Sequence, residues 1–178
     1  MTVIGTRGSD LALWQSQFVR DHLQGPATLS LFHTLGDRIL DRGLQHQPEK
    51  GLFTTELEQA LLDGRIDLAV HSFKDLPTSV PDGLRIAAVP ARADVGDVLL
   101  VRPEALDWTQ RLPVKPGATI GTGSMRREAL LRHVVPEART ALLRGNVPTR
   151  LRKCLDGAYD AIVLARAGIA RLGLAVAP

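Results

Sequence analysis

Short apolar runs and amphipathic stretches take turns along this chain. Residues 3–6 form a first apolar run, after which Leu11, Leu13, Trp14, Phe18, Val19 and Leu23 recur at helical spacing. Residues 29–32 read as the next strand and residues 52–62 as a second helix, closed by Gly64, whose missing side chain suits the left-handed turn that ends helices. Strands are predicted again over residues 66–70 and 84–89. Past Asp97 the pattern resumes with strands near 98–101, 119–121, 140–143 and 161–164, and helices near 124–134 and 147–155. The polar stretch 36–50, with Gly43 and Pro48, predicts a long loop, and loops of that length are usually functional. Strands and helices in alternation predict an α/β fold.

Two internal echoes refine that picture. Leu62-Asp63-Gly64-Arg65-Ile66-Asp67-Leu68-Ala69-Val70 returns as Leu155-Asp156-Gly157-Ala158-Tyr159-Asp160-Ala161-Ile162-Val163, and Ile4-Gly5-Thr6 returns as Ile120-Gly121-Thr122. Each copy falls at an equivalent element boundary. The pattern predicts two similarly built α/β lobes, residues 1–90 and 97–178, with a hinge at 91–96. Ligands of such folds sit at strand carboxyl ends and in the cleft between lobes.

Composition narrows the class. The chain has 178 residues, 44% apolar and 23% charged, too apolar for a disordered tail. Its single cysteine excludes an intramolecular disulfide framework and a cysteine-based zinc site, and no metal is expected. No apolar run reaches membrane-spanning length and the first residues lack a secretory pattern, so a cytoplasmic protein without membrane contact, monomeric in solution, is expected. Charge is uneven: residues 1–90 carry 8 basic and 11 acidic side chains, residues 91–178 carry 14 and 8. Of the basic residues 18 are Arg, the side chain that forks onto carboxylates and phosphates, which points to an anionic ligand on the second half. Surface decoration by Arg explains the composition equally well.

Three clusters fall at predicted strand ends. Thr6-Arg7-Gly8-Ser9 offers a guanidinium beside a helix start, or simply a turn with Ser9 as helix cap. His71-Ser72-Phe73-Lys74-Asp75-Leu76-Pro77 follows a predicted buried strand; Lys74 can bind an anion while Asp75 stabilises a cation or moves a proton. A solvated loop is the alternative, and His71 is expected to pack. The third is Gly121-Thr122-Gly123-Ser124-Met125-Arg126-Arg127, continued by Arg144-Gly145-Asn146-Val147-Pro148-Thr149-Arg150. It is neither a nucleotide P-loop nor a dinucleotide G-x-G-x-x-G. What remains is a helix start surrounded by guanidinium groups, suited to carboxylates or phosphates. Arg132, Arg139 and Arg152 are expected on solvated faces.

These motifs, in this order, resemble the porphobilinogen deaminase (hydroxymethylbilane synthase) family. The resemblance is carried by Thr6-Arg7-x-Ser9 with Leu11 to Gln15, Gly36-Asp37, Lys50-Gly51-Leu52-Phe53, Ala69 to Pro77, Ser124-Met125-Arg126-Arg127, Leu143 to Val147 and Ala167 to Gly173. It implies two periplasmic-binding-protein-like lobes and the condensation of four porphobilinogen units, each losing ammonia, into the linear tetrapyrrole hydroxymethylbilane. It also implies that Asp75, with Lys74, is catalytic. Arg7, Ser9, Lys50, Ser72, Thr122, Ser124, Arg126, Arg127, Arg144, Arg150 and Arg171 match the family's binders of substrate and cofactor. Departures stand at Asp10, where the family usually has Pro, at His46 and Pro48-Glu49 in the long loop, and at Gly123 in place of a second Ser.

The family's cofactor is a dipyrromethane, linked to a Cys in a third domain that follows a segment returning to the first lobe. The sequence ends at Pro178, and Cys154 matches no attachment motif and is expected inside a helix. A primer held by Arg contacts, without a covalent link, is therefore one expectation, and no primer is the other. Two competing readings are a catalytically silent binder of porphobilinogen or a linear pyrrole, and a nucleic-acid binder. The second rests on charge alone, with 4% aromatics and no recognition motif, so no nucleic-acid partner is expected.

Overall fold

The computed structural model describes residues 1–34, 36 and 53–175. The long loop expected over residues 36–50, Lys50 included, lies outside the described residues except for Gly36. The chain divides into two compact units, Met1–Ala91 and Arg92–Pro178.

In the first unit, β1 (Thr2–Arg7) is the middle strand of a parallel sheet, flanked by β2 (Ala27–Phe32) and β3 (Leu68–Ala69). Helix α1 (Asp10–His22) joins β1 to β2, and α2 (Thr55–Leu62) precedes β3. Ser9 caps α1, its Oγ accepting the Ala12 N–H at 3.4 Å, and Asp10 in the first turn with Arg20 and His22 in the last complement the helix dipole. Trp14 stacks on Phe18 at 5.6 Å and Phe18 meets His22 at 4.2 Å, each pair one turn apart. The helix is pinned to its strand by a buried hydroxyl pair, Ser16 Oγ donating to Thr6 Oγ1 at 2.6 Å. α2 ends as expected: Gly64 takes φ +67°, and the Gly64 and Arg65 N–H groups close back onto Leu61 and Ala60. Leu57, Ala60 and Ile66 form the buried cluster between α2 and the sheet.

Two strand expectations change. Over residues 66–70 only Leu68–Ala69 is laddered as a strand, although the Asp67 and Val70 N–H groups still reach the Val3 and Gly5 carbonyls. Residues 84–89 form no strand. Ile86 and Val89 are exposed, and an apolar run without a neighbouring strand to accept its N–H groups cannot become one.

The second unit repeats the plan and adds an edge. β4 (Asp97–Val101) lies antiparallel on β7 (Ala161–Ala165), and β7, β5 (Thr119–Thr122) and β6 (Arg139–Leu142) run parallel. Helices α3 (Met125–Val134) and α4 (Val147–Leu155) make the crossovers. α5 (Arg166–Arg171) follows β7, and its six residues are too few to show a periodicity in the sequence. β7 is buried on both faces. Ala161 and Val163 pack with Ile120 and Leu131, while Ile162 and Leu164 pack with Leu143, Cys154 and Ile169, which explains its uninterrupted apolar run. Cys154 is a buried free thiol on α4.

The sequence echoes are one physical device made twice. Asp67 donates its N–H to the Val3 carbonyl at 2.9 Å while its Oδ2 accepts the Val3 N–H at 2.7 Å. Asp160 makes the same reciprocal pair with Thr119, at 3.0 and 2.8 Å. Register follows in kind: Gly5 pairs with Ala69 and Gly121 with Ile162. Both glycines are pressed by the segment before the partner strand. A Cβ on Gly5 would meet Ile66 and stand 2.7 Å from Leu57 Cδ2, and one on Gly121 would stand 2.7 Å from the Tyr159 ring.

Asp160→Ala removes the acceptor of the Thr119 N–H and is expected to cost about 1–3 kcal/mol. Gly121→Ala is expected to cost about the same through overpacking. Urea denaturation checks both, and unchanged midpoints would show that neither contact supports the sheet.

Candidate functional site

The first unit gathers its polar residues where β1 and β3 end. Arg7 is the last residue of β1, and its guanidinium carbon sits 4.3 Å from the Phe53 ring centroid, a cation–π contact that holds the head near the strand end. Ser9 is occupied as the cap of α1. Past β3 the chain turns through Ser72, whose Oγ donates to Gln15 Oε1 at 2.9 Å and so ties this turn to α1. Lys74 and Asp75 then share a single 3-10 turn, Phe73–Asp75, closed by the Asp75 N–H on the Ser72 carbonyl at 2.9 Å. Lys74 is exposed and Asp75 half-buried.

His71 lies among these groups and, as expected, packs: it is half-buried. Burial lowers its proton affinity below the usual value of 6.5; the carboxylates of Asp75 and then Glu58 oppose that, and the charge of Arg7 adds to it. One imidazole thus feels the charges of Asp75, Glu58 and Arg7 together.

The second unit gathers guanidinium groups at the carboxyl ends of β5 and β6. Thr122 closes β5, is buried, and accepts the Ser124 N–H on Oγ1 at 3.2 Å. Ser124 caps α3, its Oγ accepting the Arg127 N–H at 3.4 Å. Between them Gly123 runs so close to β6's end that a Cβ would stand 2.7 Å from the Leu143 carbonyl, so the Ser that the family often carries here has no room without a shift. Arg126 is exposed in the first turn of α3. Arg144 leaves β6 with its Nε buried and without a hydrogen-bond partner. Arg150 donates Nε–H to the Gly145 carbonyl at 2.6 Å. Its pKa is pushed down chiefly by burial, then by the charges of Arg127 and Arg144. Cations crowded closely enough to repel one another, with a buried N–H left over, suit a bound anion. Arg171 is half-buried at the end of α5. Arg132, Arg139 and Arg152 are exposed, and Arg132 pairs with Glu128 at 2.7 Å.

Arg127 is held differently. Its Nε and Nη2 donate to the two carboxylate oxygens of Asp97, at 3.0 and 2.6 Å, and Nη1 reaches the Val163 carbonyl at 3.4 Å. The sequence reading singled out neither Asp97 nor Gln15 or Phe53 as functional partners. Each acts across a large sequence separation, and no local motif marks it. Among the described residues no group of three His, Cys, Asp or Glu side chains could hold a metal ion, and no helix is long and apolar enough to cross a membrane.

The chain is thus an α/β protein of two units, with a Lys-Asp turn at the strand ends of the first and a group of guanidiniums at the strand ends of the second. Residues 2–177 match the family described as "Porphobilinogen deaminase, dipyromethane cofactor binding domain". The chain belongs to the porphobilinogen deaminase family. It is similar to the porphobilinogen deaminases of Roseiflexus sp. (strain RS-1), 51% identical over 97% of this chain and 57% of the relative, and of Albidiferax ferrireducens, 49% identical over 96% and 54%. A third, from Nitratidesulfovibrio vulgaris (strain Hildenborough), is 48% identical over 97% of this chain and 56% of its own length. The chain spans about half the length of the curated relatives it matches.

The environment of His71 has a measurable signature. A folded-state pKa below 6.5 means that the unfolded chain binds more protons as pH falls past that value. Stability is therefore full above pH 6.5 and is lost as pH drops through the folded pKa. His71→Gln is expected to flatten this fall in urea titrations between about pH 5 and 7.5. In an NMR titration Asp75→Asn is expected to move the His71 pKa further down, and an unmoved value would remove Asp75 from its surroundings.

Proposed function

We propose that this chain carries the substrate-handling part of a hydroxymethylbilane synthase, which deaminates porphobilinogen and joins four units into the linear tetrapyrrole hydroxymethylbilane. The observation that carries this reading is the Phe73–Asp75 turn, set beside the end of β1 with Asp75 half-buried, Lys74 exposed and Arg7 within electrostatic reach of the same imidazole. The units are read as periplasmic-binding-protein-like lobes because both contain three parallel strands with the earliest of the three in the middle, β2-β1-β3 in the first unit and β6-β5-β7 in the second.

Porphobilinogen carries an acetate, a propionate and an aminomethyl group on one pyrrole. When its C–N bond breaks, the bonding pair leaves with ammonia and positive charge spreads over the pyrrole and the exocyclic carbon. Asp75 accepts the pyrrole N–H and stabilises that charge. Lys74 and Arg7 bind the side-chain carboxylates, with Ser9 and Ser72 as further polar contacts and Lys50 assigned by the family motif. On the second unit Thr122, Ser124, Arg126, Arg127, Arg144, Arg150 and Arg171 serve the acetates and propionates that accumulate as the chain grows.

The dipyrromethane implied by the family supplies, when bound, the terminal pyrrole carbon onto which units are added. The buried, unpartnered Arg144 Nε and the crowded Arg150 fit its carboxylates. Cys154 does not fit its attachment: the thiol is buried, burial raises its pKa away from the reactive thiolate, and the Sγ donates to the Tyr159 carbonyl at 3.9 Å. Any primer that this chain holds is read as bound through non-covalent contacts, chiefly those of its guanidinium groups. A cytoplasmic, monomeric protein without nucleic-acid or membrane partners completes the proposal.

Purified chain incubated with porphobilinogen tests it, with substrate loss and bilane formation followed together and intact mass reporting any covalent pyrrole. Turnover in the parent and a fall of about 10²- to 10⁴-fold in Asp75→Asn are expected. Binding without consumption in both would instead favour a pyrrole-binding protein, and no binding at all would end both readings.

A further inference from the structure

Arg127, in the second unit's guanidinium group, has its fork already taken by a carboxylate, and that carboxylate stands at the carboxyl end of the sheet. Asp97 opens β4, and because β4 runs antiparallel to β7, Asp97 pairs with Ala165 at β7's carboxyl end. Its two oxygens receive Nε–H and Nη2–H of Arg127, whose side chain is only 14% exposed. Nη1 donates to the Val163 carbonyl of the same strand. Three of the five guanidinium N–H groups are thus spent within the fold, leaving two, one on each terminal nitrogen. A planar guanidinium gripped along one edge has no freedom to swing, whereas an exposed Arg such as Arg126 must be ordered on binding.

We propose that Asp97 is a positioning residue: it locks Arg127 so that its two remaining N–H groups form a preset carboxylate receptor beside Arg144 and Arg150. This deepens the function proposed above and rests on it for the natural ligand. Asp97 places a negative charge among groups that bind anions, so on charge alone its removal should tighten anion binding. If it positions Arg127, removal should weaken binding in spite of the added positive charge. The sign of the effect separates the two.

The test uses the intact chain with two probes, inorganic phosphate and porphobilinogen, by calorimetry at fixed ionic strength. Phosphate reads the guanidinium cluster whatever its natural ligand, so it tests positioning even if porphobilinogen does not bind. Asp97→Asn is expected to weaken phosphate binding about tenfold, the worth of one charge-assisted hydrogen bond. Asp97→Glu should recover part of the loss, and Arg127→Lys, which keeps charge but loses the fork, should match Asp97→Asn without adding to it in the double variant. Unchanged or tighter phosphate binding in a folded Asp97→Asn, or full additivity with Arg127→Lys, overturns the proposal. Should Asp97→Asn unfold, the side-chain N–H resonance of Arg127 in the parent decides instead. A slowly exchanging Nε–H with Nη signals that shift on adding phosphate supports the receptor, and signals unmoved by phosphate overturn it.

Discussion

The reciprocal hydrogen bonds between an aspartate and a residue at the start of the central strand are the constraint on which the rest of each unit depends. Asp67 with Val3 and Asp160 with Thr119 set where the last parallel strand starts against the middle one. Because a strand's side chains alternate faces, a shift of one residue would reverse every inward position, so this start point decides which residues reach the sheet's carboxyl end. In the first unit it brings the Ser72 to Asp75 turn out beside Arg7. In the second it brings Val163 and Ala165 to the level of Arg127 and Asp97. The glycines at 5 and 121 serve the same constraint, since the residues just before the partner strand fold over them too closely for a side chain.

Electrostatics divide between the units as the charge count suggested, but burial determines what the charges do. In the first unit the half-buried His71 feels the charges of two carboxylates and a guanidinium, and loss of hydration outweighs the carboxylates. In the second, Arg150 is partly stripped of water beside the charges of Arg127 and Arg144, and both effects weaken its hold on its proton. Arg127 shows why counting basic residues overstates the charge on offer. One of the cations at the strand ends is neutralised from within the fold by Asp97.

Much of the fold was legible in the sequence. The helix cap at Ser9, the helices near 124–134 and 147–155, the left-handed Gly64, and most strands came from local signals, because caps, turns and burial on a regular element act over a few residues. The exposed apolar run at 84–89 shows the limit: hydrophobicity allows a strand, and only a laddered neighbour makes one. α5 was missed because its six residues are shorter than any readable period.

The sequence by itself determined that two copies of one α/β plan follow each other, that the second is the more basic, and that a Lys-Asp turn and an Arg-rich stretch follow strands. Those properties are local or compositional, and the echo of L-D-G-x-x-D carries its own hydrogen-bonding partner group. Only the tertiary structure decided that Ser72 leans on Gln15, that Arg7 rests on Phe53, that Arg144 buries an unused N–H and that Asp97 holds Arg127. The physical reason is distance along the chain. These partners are brought together by sheet register and helix docking, and a hydrogen bond or ion pair between residues tens of positions apart leaves no pattern in either neighbourhood.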